Sequence, residues 1–514
     1  MGFVKPTIFG LCFLCLIFFM RPVFAEQKQI QAEKSMNIYQ IRALDKESAV
    51  KNEPKIPDTS PYTISAIRQK IPDSAAGKIY LKSMRGDASV AKFMVDKGYD
   101  LYRKKQGADP KMIVLENGVF DMDDVVKILK DKSLVFKKHD EYYLRRPLII
   151  GSSATLIIGD TASSQDNQKR ISLKLSTQDG AFISNSGTIF GVNADIYGWD
   201  MAKEARDIFV DKNNFRPFFV AWSRSKSYFG GVHFYDMGYA QSKAYGFSLT
   251  SSTAEEENFI IKRPTGWIVQ CRFEGMYYGF YSYRADDIVI VRNHYINNIV
   301  YGIDPHDYSR RLIIDHNDVS GTHKKHGIII SRGVVDSWIT HNHSYDNAGS
   351  GIMLDRSSTG NLVAYNISNM NQGDGLSLFE SEKNFINNNT LISNGKNGLR
   401  IRNSWDIFAR DNIILNNAGN GLKLQSRDIT IDKTRDFKED PFTQKASLEI
   451  KGGVISANSD GNLKIDQIDF LRMQQVDFLY SNQFFTQDQR ALNQLMIDKF
   501  SGTPYALEVV PHHP

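Results

Sequence analysis

Four consecutive residues, Asp304-Pro305-His306-Asp307, set an imidazole among carboxylates. Alternate side chains of an extended strand share a face, so Asp304 and His306 point the same way, and the carboxylate can orient the ring or raise its basicity. An imidazole held like this suits general-base work, the removal of a proton in the transition state. Pro305 stands where the comparable strands carry Ile or Leu. It cannot donate a ladder hydrogen bond, and a local cost of that kind points to function. The competing reading is polar groups on a wet strand. Arg332 follows as the residue able to hold an anionic substrate group through a two-pronged contact.

The elements that must position these residues show themselves as a repeat. Lines beginning at a glycine read GFYSY at Gly279, GIDPH at Gly302, GIIIS at Gly327, GIMLD at Gly351, GLSLF at Gly375, GLRIR at Gly398 and GLKLQ at Gly421. The spacings are 23, 25, 24, 24, 23 and 23 residues, and an asparagine (Asn293, Asn317, Asn342, Asn366, Asn389, Asn412) follows 14 or 15 residues after each of the first six glycines. Turns of this length have no room for a crossover helix. Stacked coils of short parallel strands remain, with asparagine amides satisfying turn backbone groups. A leucine-rich-repeat horseshoe has a similar period, but its fixed leucine pattern is missing. The expected fold is therefore all-β, a right-handed parallel β-helix. Cys271 takes the ladder position of the preceding rung and is expected to be buried, with no role as a nucleophile.

Parallel stacking places equivalent positions about 4.8 Å apart, so outward residues form columns. Counting from each glycine, the second position runs Tyr281, Asp304, Ile329, Met353, Ser377, Arg400, Lys423. The fourth runs Tyr283, His306, Ser331, Asp355, Phe379, Arg402, and the fifth Arg284, Asp307, Arg332, Arg356, Glu380, Asn403. Arg332 thus lies one rung on from His306 and one position along. A long shallow face of this composition suits a linear polymer, with arginines for carboxylates and tyrosines for sugar faces. Tyr281, Tyr283, Arg284, Asp307, Arg356, Arg400, Arg402 and Lys423 are the candidate substrate-binding residues.

Other histidines carry less. His294, His316, His341 and His343 flank ladder asparagines, and His323 and His326 belong to an expected solvated loop with Lys324 and Lys325. No pair has metal-site spacing with a third ligand, so neither a metal nor a cofactor is expected.

The chain has a formal charge of +5. Lys5, an apolar run over 8–20, Arg21 and then Val23-Phe24-Ala25 read as a signal peptide cleaved after Ala25. Its loss leaves +3, which is mild for a nucleic-acid partner. The apolar run is too short to span a bilayer and no later segment is long enough. The expected organisation is a signal peptide over 1–25, a flanking segment over 26–145 covering the first rung, the β-helix over 146–430, and late strands, a lid and a terminal helix over 431–514.

With Gly118-Val119-Phe120-Asp121-Met122-Asp123-Asp124, Pro147-Leu148-Ile149-Ile150-Gly151 and DPHD on a rung strand, nearly the whole chain after residue 25 resembles the periplasmic mannuronan C5-epimerases of bacterial alginate biosynthesis. The resemblance implies conversion of β-D-mannuronate to α-L-guluronate within the polymer. It also implies His306 as base, Arg332 as the group neutralising the substrate carboxylate, Asp304 as support for the histidine, and a periplasmic alginate export complex as partner. An alginate lyase acting by β-elimination shares the same intermediate, and a non-catalytic polysaccharide sleeve is a reading of another class. The residues alone leave these three open.

Overall fold

The computed structural model describes residues 39–44, 52–85, 107–159, 170–177, 182–241, 243–251, 263–433, 435–479, 484–500 and 507–512. The signal-peptide reading of 1–25 lies outside them. Short strands succeed one another in three long sheets of 15, 14 and 14 strands, and within each sheet nearly every neighbour is the equivalent strand of the next rung, paired in parallel. This is a parallel β-helix. One sheet, the groove face, includes Tyr278–Tyr283, Tyr301–His306, Ile328–Ser331, Ile352–Asp355, Leu376–Phe379, Leu399–Arg402, Asn420–Gln425 and Gly461–Asp466.

Inward positions stack like on like. Ile303, Ile328, Ile352, Leu376, Leu399, Leu422 and Leu463 form one fully buried aliphatic row, so each rung buries its apolar edge against the next. Earlier rungs are filled by aromatics, with Phe273 stacked between Phe234 and Tyr295 at 5.0 and 4.7 Å. The asparagine ladder closes as expected: from Asn293 through Asn317, Asn342, Asn366 and Asn389 to Asn412, each Nδ2 donates to the next Oδ1 at 2.9–3.0 Å. Each Oδ1 also accepts a backbone N–H from the rung before, so buried turn donors are satisfied. Cys271 N donates to Asn293 Oδ1 in the same way, and burial pushes its thiol up to about 12. At Gly327 a Cβ would lie 2.2 Å from Ser344 Oγ, which explains the glycine at the start of that strand.

Parallel pairing already joins Lys111–Glu116 to Leu148–Ile150 and continues to Gly461–Asp466 and Phe470–Gln474, so the coil runs past the expected limits of 146 and 430 at both ends. The flanking segment also does more than cover the first rung. Lys78–Ser83 and the helix Met122–Leu129, started by an Asp121/Asp124 capping box, lie at that end. By contrast Tyr39–Ala43 pairs antiparallel with Leu507–Pro511, which pairs with Phe470–Gln474 at the opposite end. The last edge strand is thereby covered. Between them, Thr59 and Tyr62 accept hydrogen bonds from Arg292, and Glu53 reaches Asn387 and Arg410, so this stretch straps a second face of the coil. The terminal helix expected within 431–514 spans Arg490–Phe500.

Candidate active site

The groove-face columns pair in the expected register: Tyr281 with Asp304, Tyr283 with His306, His306 with Ser331, and Ser331 with Asp355. The fifth position adds something periodicity alone does not reveal. Arg284, Asp307, Arg332, Arg356, Glu380 and Asn403 all have positive φ, between 35° and 61°. A left-handed residue at each strand end turns the chain towards the next sheet. The Asp307 side chain reaches His306 of the fourth column, and Arg332 reaches Asp307.

His306 therefore takes its carboxylate from Asp307. Its Nδ1 is hydrogen-bonded to Asp307 Oδ2, and the other Asp307 oxygen lies 3.2 Å from Arg332 Nη1. This corrects the expectation that Asp304 orients the ring. Asp304 shares the strand face but is 2% exposed, and its Oδ1 has no hydrogen-bond partner among the described residues. Burial pushes its carboxyl up to about 7. Asp307 is likewise corrected as a substrate contact: it is engaged by His306 and Arg332 and has the charge sign of a uronate. Burial acts against the His306 imidazolium, but the hydrogen bond to Asp307 and the nearby carboxylates outweigh it and raise the ring above its ordinary value. For Asp307 burial is outweighed by His306 and Arg332, which hold the carboxyl below its ordinary value. With Nδ1–H donated to Asp307, Nε2 is left for a substrate proton.

Tyrosines wall one side of His306. Tyr281 lies 5.9 Å from the imidazole, Tyr245 stacks on Tyr278 at 4.6 Å and meets Tyr281 edge-on at 4.9 Å, and Tyr278 meets Tyr301 at 5.0 Å. Burial raises the phenols of Tyr281 and Tyr283. Lys243 Nζ sits 3.2 Å from the centre of the Tyr283 ring, and burial pushes its ammonium down to about 8. Arg284 lies over Tyr283 and Tyr308 at 5.6 and 4.9 Å.

The remaining cations differ in what holds them. Arg356 Nη1 donates to Asp440 Oδ2 at 3.3 Å. Arg400 rests 5.0 Å from the Phe379 ring and 3.8 Å from Asp374, and burial pushes its guanidinium down. Lys423 pairs in register with Arg400 and Lys464, and burial, followed by their charge, pushes it down too. Arg402 departs from the expected substrate role: its Nε and Nη2 donate to the two oxygens of fully buried Glu380 at 2.8 and 2.9 Å. His326 also departs from expectation, since it stacks on Tyr301 at 6.0 Å and accepts from Ser350 N at 2.9 Å.

Sequence reasoning missed Lys243, Tyr245 and Asp440, which come from connections rather than rung strands. For Asp440 a signal existed. A second asparagine ladder runs Asn347, Asn371, Asn394, Asn417 and Asn458, and its last two members are 41 positions apart against 23 or 24 for the others, so one rung carries an insertion.

One group of described residues approaches metal-ligand spacing, Asp315 with His316 and His341. It belongs to the strapped face, away from His306. Both imidazole Nδ1 atoms pair with Asp315, at 2.7 and 2.8 Å, and Thr340 and Thr59 donate to the same carboxylate. The two rings stack at 4.6 Å and 18°, and the Nδ1 atom of each is already engaged by that carboxylate.

Comparison with known proteins fits this arrangement. Residues 278–435 match the model of the right handed beta helix region. A mannuronan C5-epimerase of Pseudomonas putida is 36% identical over 442 residues, covering 85% of this chain and 83% of the relative. The chain belongs to the mannuronan C5-epimerase family. The Azotobacter vinelandii member, AlgG, is 35% identical over 480 residues, 93% of this chain and 89% of its own. Among solved members, the crystal structure of the periplasmic alginate epimerase AlgG superposes with a TM-score of 0.77 at 34% identity, covering 84% of this chain and 100% of that one.

Proposed function

We propose that this chain inverts C5 of mannuronate residues in polymeric alginate, with His306 as base and Arg332 as the group that neutralises the reacting uronate. The observation that carries the residue assignment is the His306–Asp307–Arg332 contact, which sets an imidazole raised above its ordinary value and a guanidinium on the two oxygens of one carboxylate. Arg332 and neighbouring cations offset the carboxylate charge and make the C5 proton more acidic. Nε2 of His306 takes that proton, and the carbanion's charge spreads into the carboxylate, where the same cations stabilise it. A proton delivered to C5 from the opposite face, by water or a groove tyrosine such as Tyr283, gives guluronate, and the proton His306 took passes through solvent to restore the donor. Only the C5–H bond breaks and re-forms, and the glycosidic bonds of the polymer stay intact. Tyr281 and Arg284 on one side and Arg356, Arg400 and Lys423 on the other line the path of the flanking sugars.

A periplasmic setting is supported by the solved relative and by the expectation for 1–25. No helix among the described residues is long and apolar enough to cross a membrane. Contact with an alginate export complex is proposed on the family resemblance. Proton NMR of polymannuronate incubated with the purified protein tests the reaction: guluronate signals without unsaturated ends are expected. Unsaturated ends would make it a lyase, and unchanged polymer a binding sleeve.

A further inference from the structure

The segment 435–445, part of the insertion between Asn420–Gln425 and Ser447–Lys451, brings the carboxylate of Asp440 into the groove. Asp440 has a fully buried side chain on Arg332 and Arg356. Arg332 Nη2 donates to Asp440 Oδ2 at 2.8 Å, Nε lies 2.7 Å from Oδ1, and Arg356 Nη1 donates to Oδ2 at 3.3 Å. Since Arg332 Nη1 faces Asp307, both edges of its guanidinium are already engaged by acids of this chain. A uronate carboxylate seeking the two-pronged grip has no vacant edge to take.

We propose that Asp440 is an internal stand-in for the substrate carboxylate, and that polymer engages Arg332 by displacing segment 435–445 from the groove. The proposal rests on the reading of Arg332 as the uronate-neutralising group. Three observations support displacement over permanent support. Asp440 comes from an insertion and not from a rung strand. The Nε–Oδ1 approach is off the line of a hydrogen bond, so both of these buried atoms have no hydrogen-bond partner among the described residues, and an imperfect internal pair is open to competition by a better-aligned anion. The segment's tie to the neighbouring rung turn is weak, with Ser357 Oγ donating to Pro441 O at 3.4 Å. Arg435, anchored on buried Glu380, supplies a fixed point about which the remainder can move.

The equilibrium has a measurable consequence. A groove closed about nine-tenths of the time binds about tenfold more weakly than an open one. Asp440→Asn keeps the shape and removes the competing charge, so its KM for polymannuronate is expected to fall by about tenfold. In the unaltered protein, saturation with hexamannuronate is expected to speed amide hydrogen exchange across 435–445. Weakened binding in Arg332→Ala together with an unchanged or raised KM in Asp440→Asn would overturn the displacement proposal alone. So would exchange across 435–445 that slows or stays constant on hexamannuronate binding. A wild-type KM in Arg332→Ala would overturn the role of Arg332 and the displacement proposal with it.

Discussion

Arg332 and Arg402 stand on the same face of the same coil, each beside a fully buried carboxylate, yet the two pairs are built differently. Arg402 is held by Glu380, which belongs to the adjacent strand end and is further fixed by Arg435. Arg332 is held by Asp440, which arrives from an insertion, and by Asp307, which also holds His306. Membership of a column gives a residue its place on the face. The proposal turns on the origin of the partner: Glu380 belongs to the scaffold, whereas Asp440 arrives on an insertion.

The contrast is sharpest in a pair of substitutions. Arg332→Ala is expected to lower kcat/KM by about 10²–10³, the scale for losing a charge-stabilising donor, while the midpoint of urea unfolding moves little. Loss of stability with activity retained would reverse the assignment of the two arginines. Arg402→Ala is expected to show the opposite pattern. It strips buried Glu380 of its two-pronged partner, for a loss on the order of 3 kcal/mol, with activity of the folded fraction near normal. A collapse of turnover in folded Arg402→Ala would return that residue to the substrate path.

Much of this arrangement was legible in the sequence because parallel pairing preserves register. Once the glycine and asparagine spacings define a rung, Tyr283, His306, Ser331 and Asp355 fall into one column without further information. What stayed hidden depends on backbone turns and chain reversals that periodicity does not encode. The left-handed conformation at Asp307 makes it, and not Asp304, the partner of His306. Asp440 enters from a 41-residue rung whose length is visible in sequence but whose path is not. Tyr39–Ala43 closes the far end of the coil because an unpaired edge there matched a strand from the other end of the chain.

A smaller effect probes the partner of His306 directly. The base must be neutral to accept a proton, and its folded pKa is raised, so kcat/KM should rise with pH through a limb above the ordinary imidazole value. Asp307→Asn removes the hydrogen-bonded charge that favours the imidazolium and should move that limb to lower pH by about one unit. A limb left in place would assign the raised basicity to Asp304 instead.

The central claim is proton removal from C5 by His306. It is tested most directly by incubating polymannuronate in D₂O with the wild-type protein and with His306→Ala, after circular dichroism has shown the variant to be folded. The expected result is guluronate carrying deuterium at C5 from the wild type and no labelled guluronate from His306→Ala. Deuterated guluronate formed by His306→Ala at the wild-type rate would contradict it.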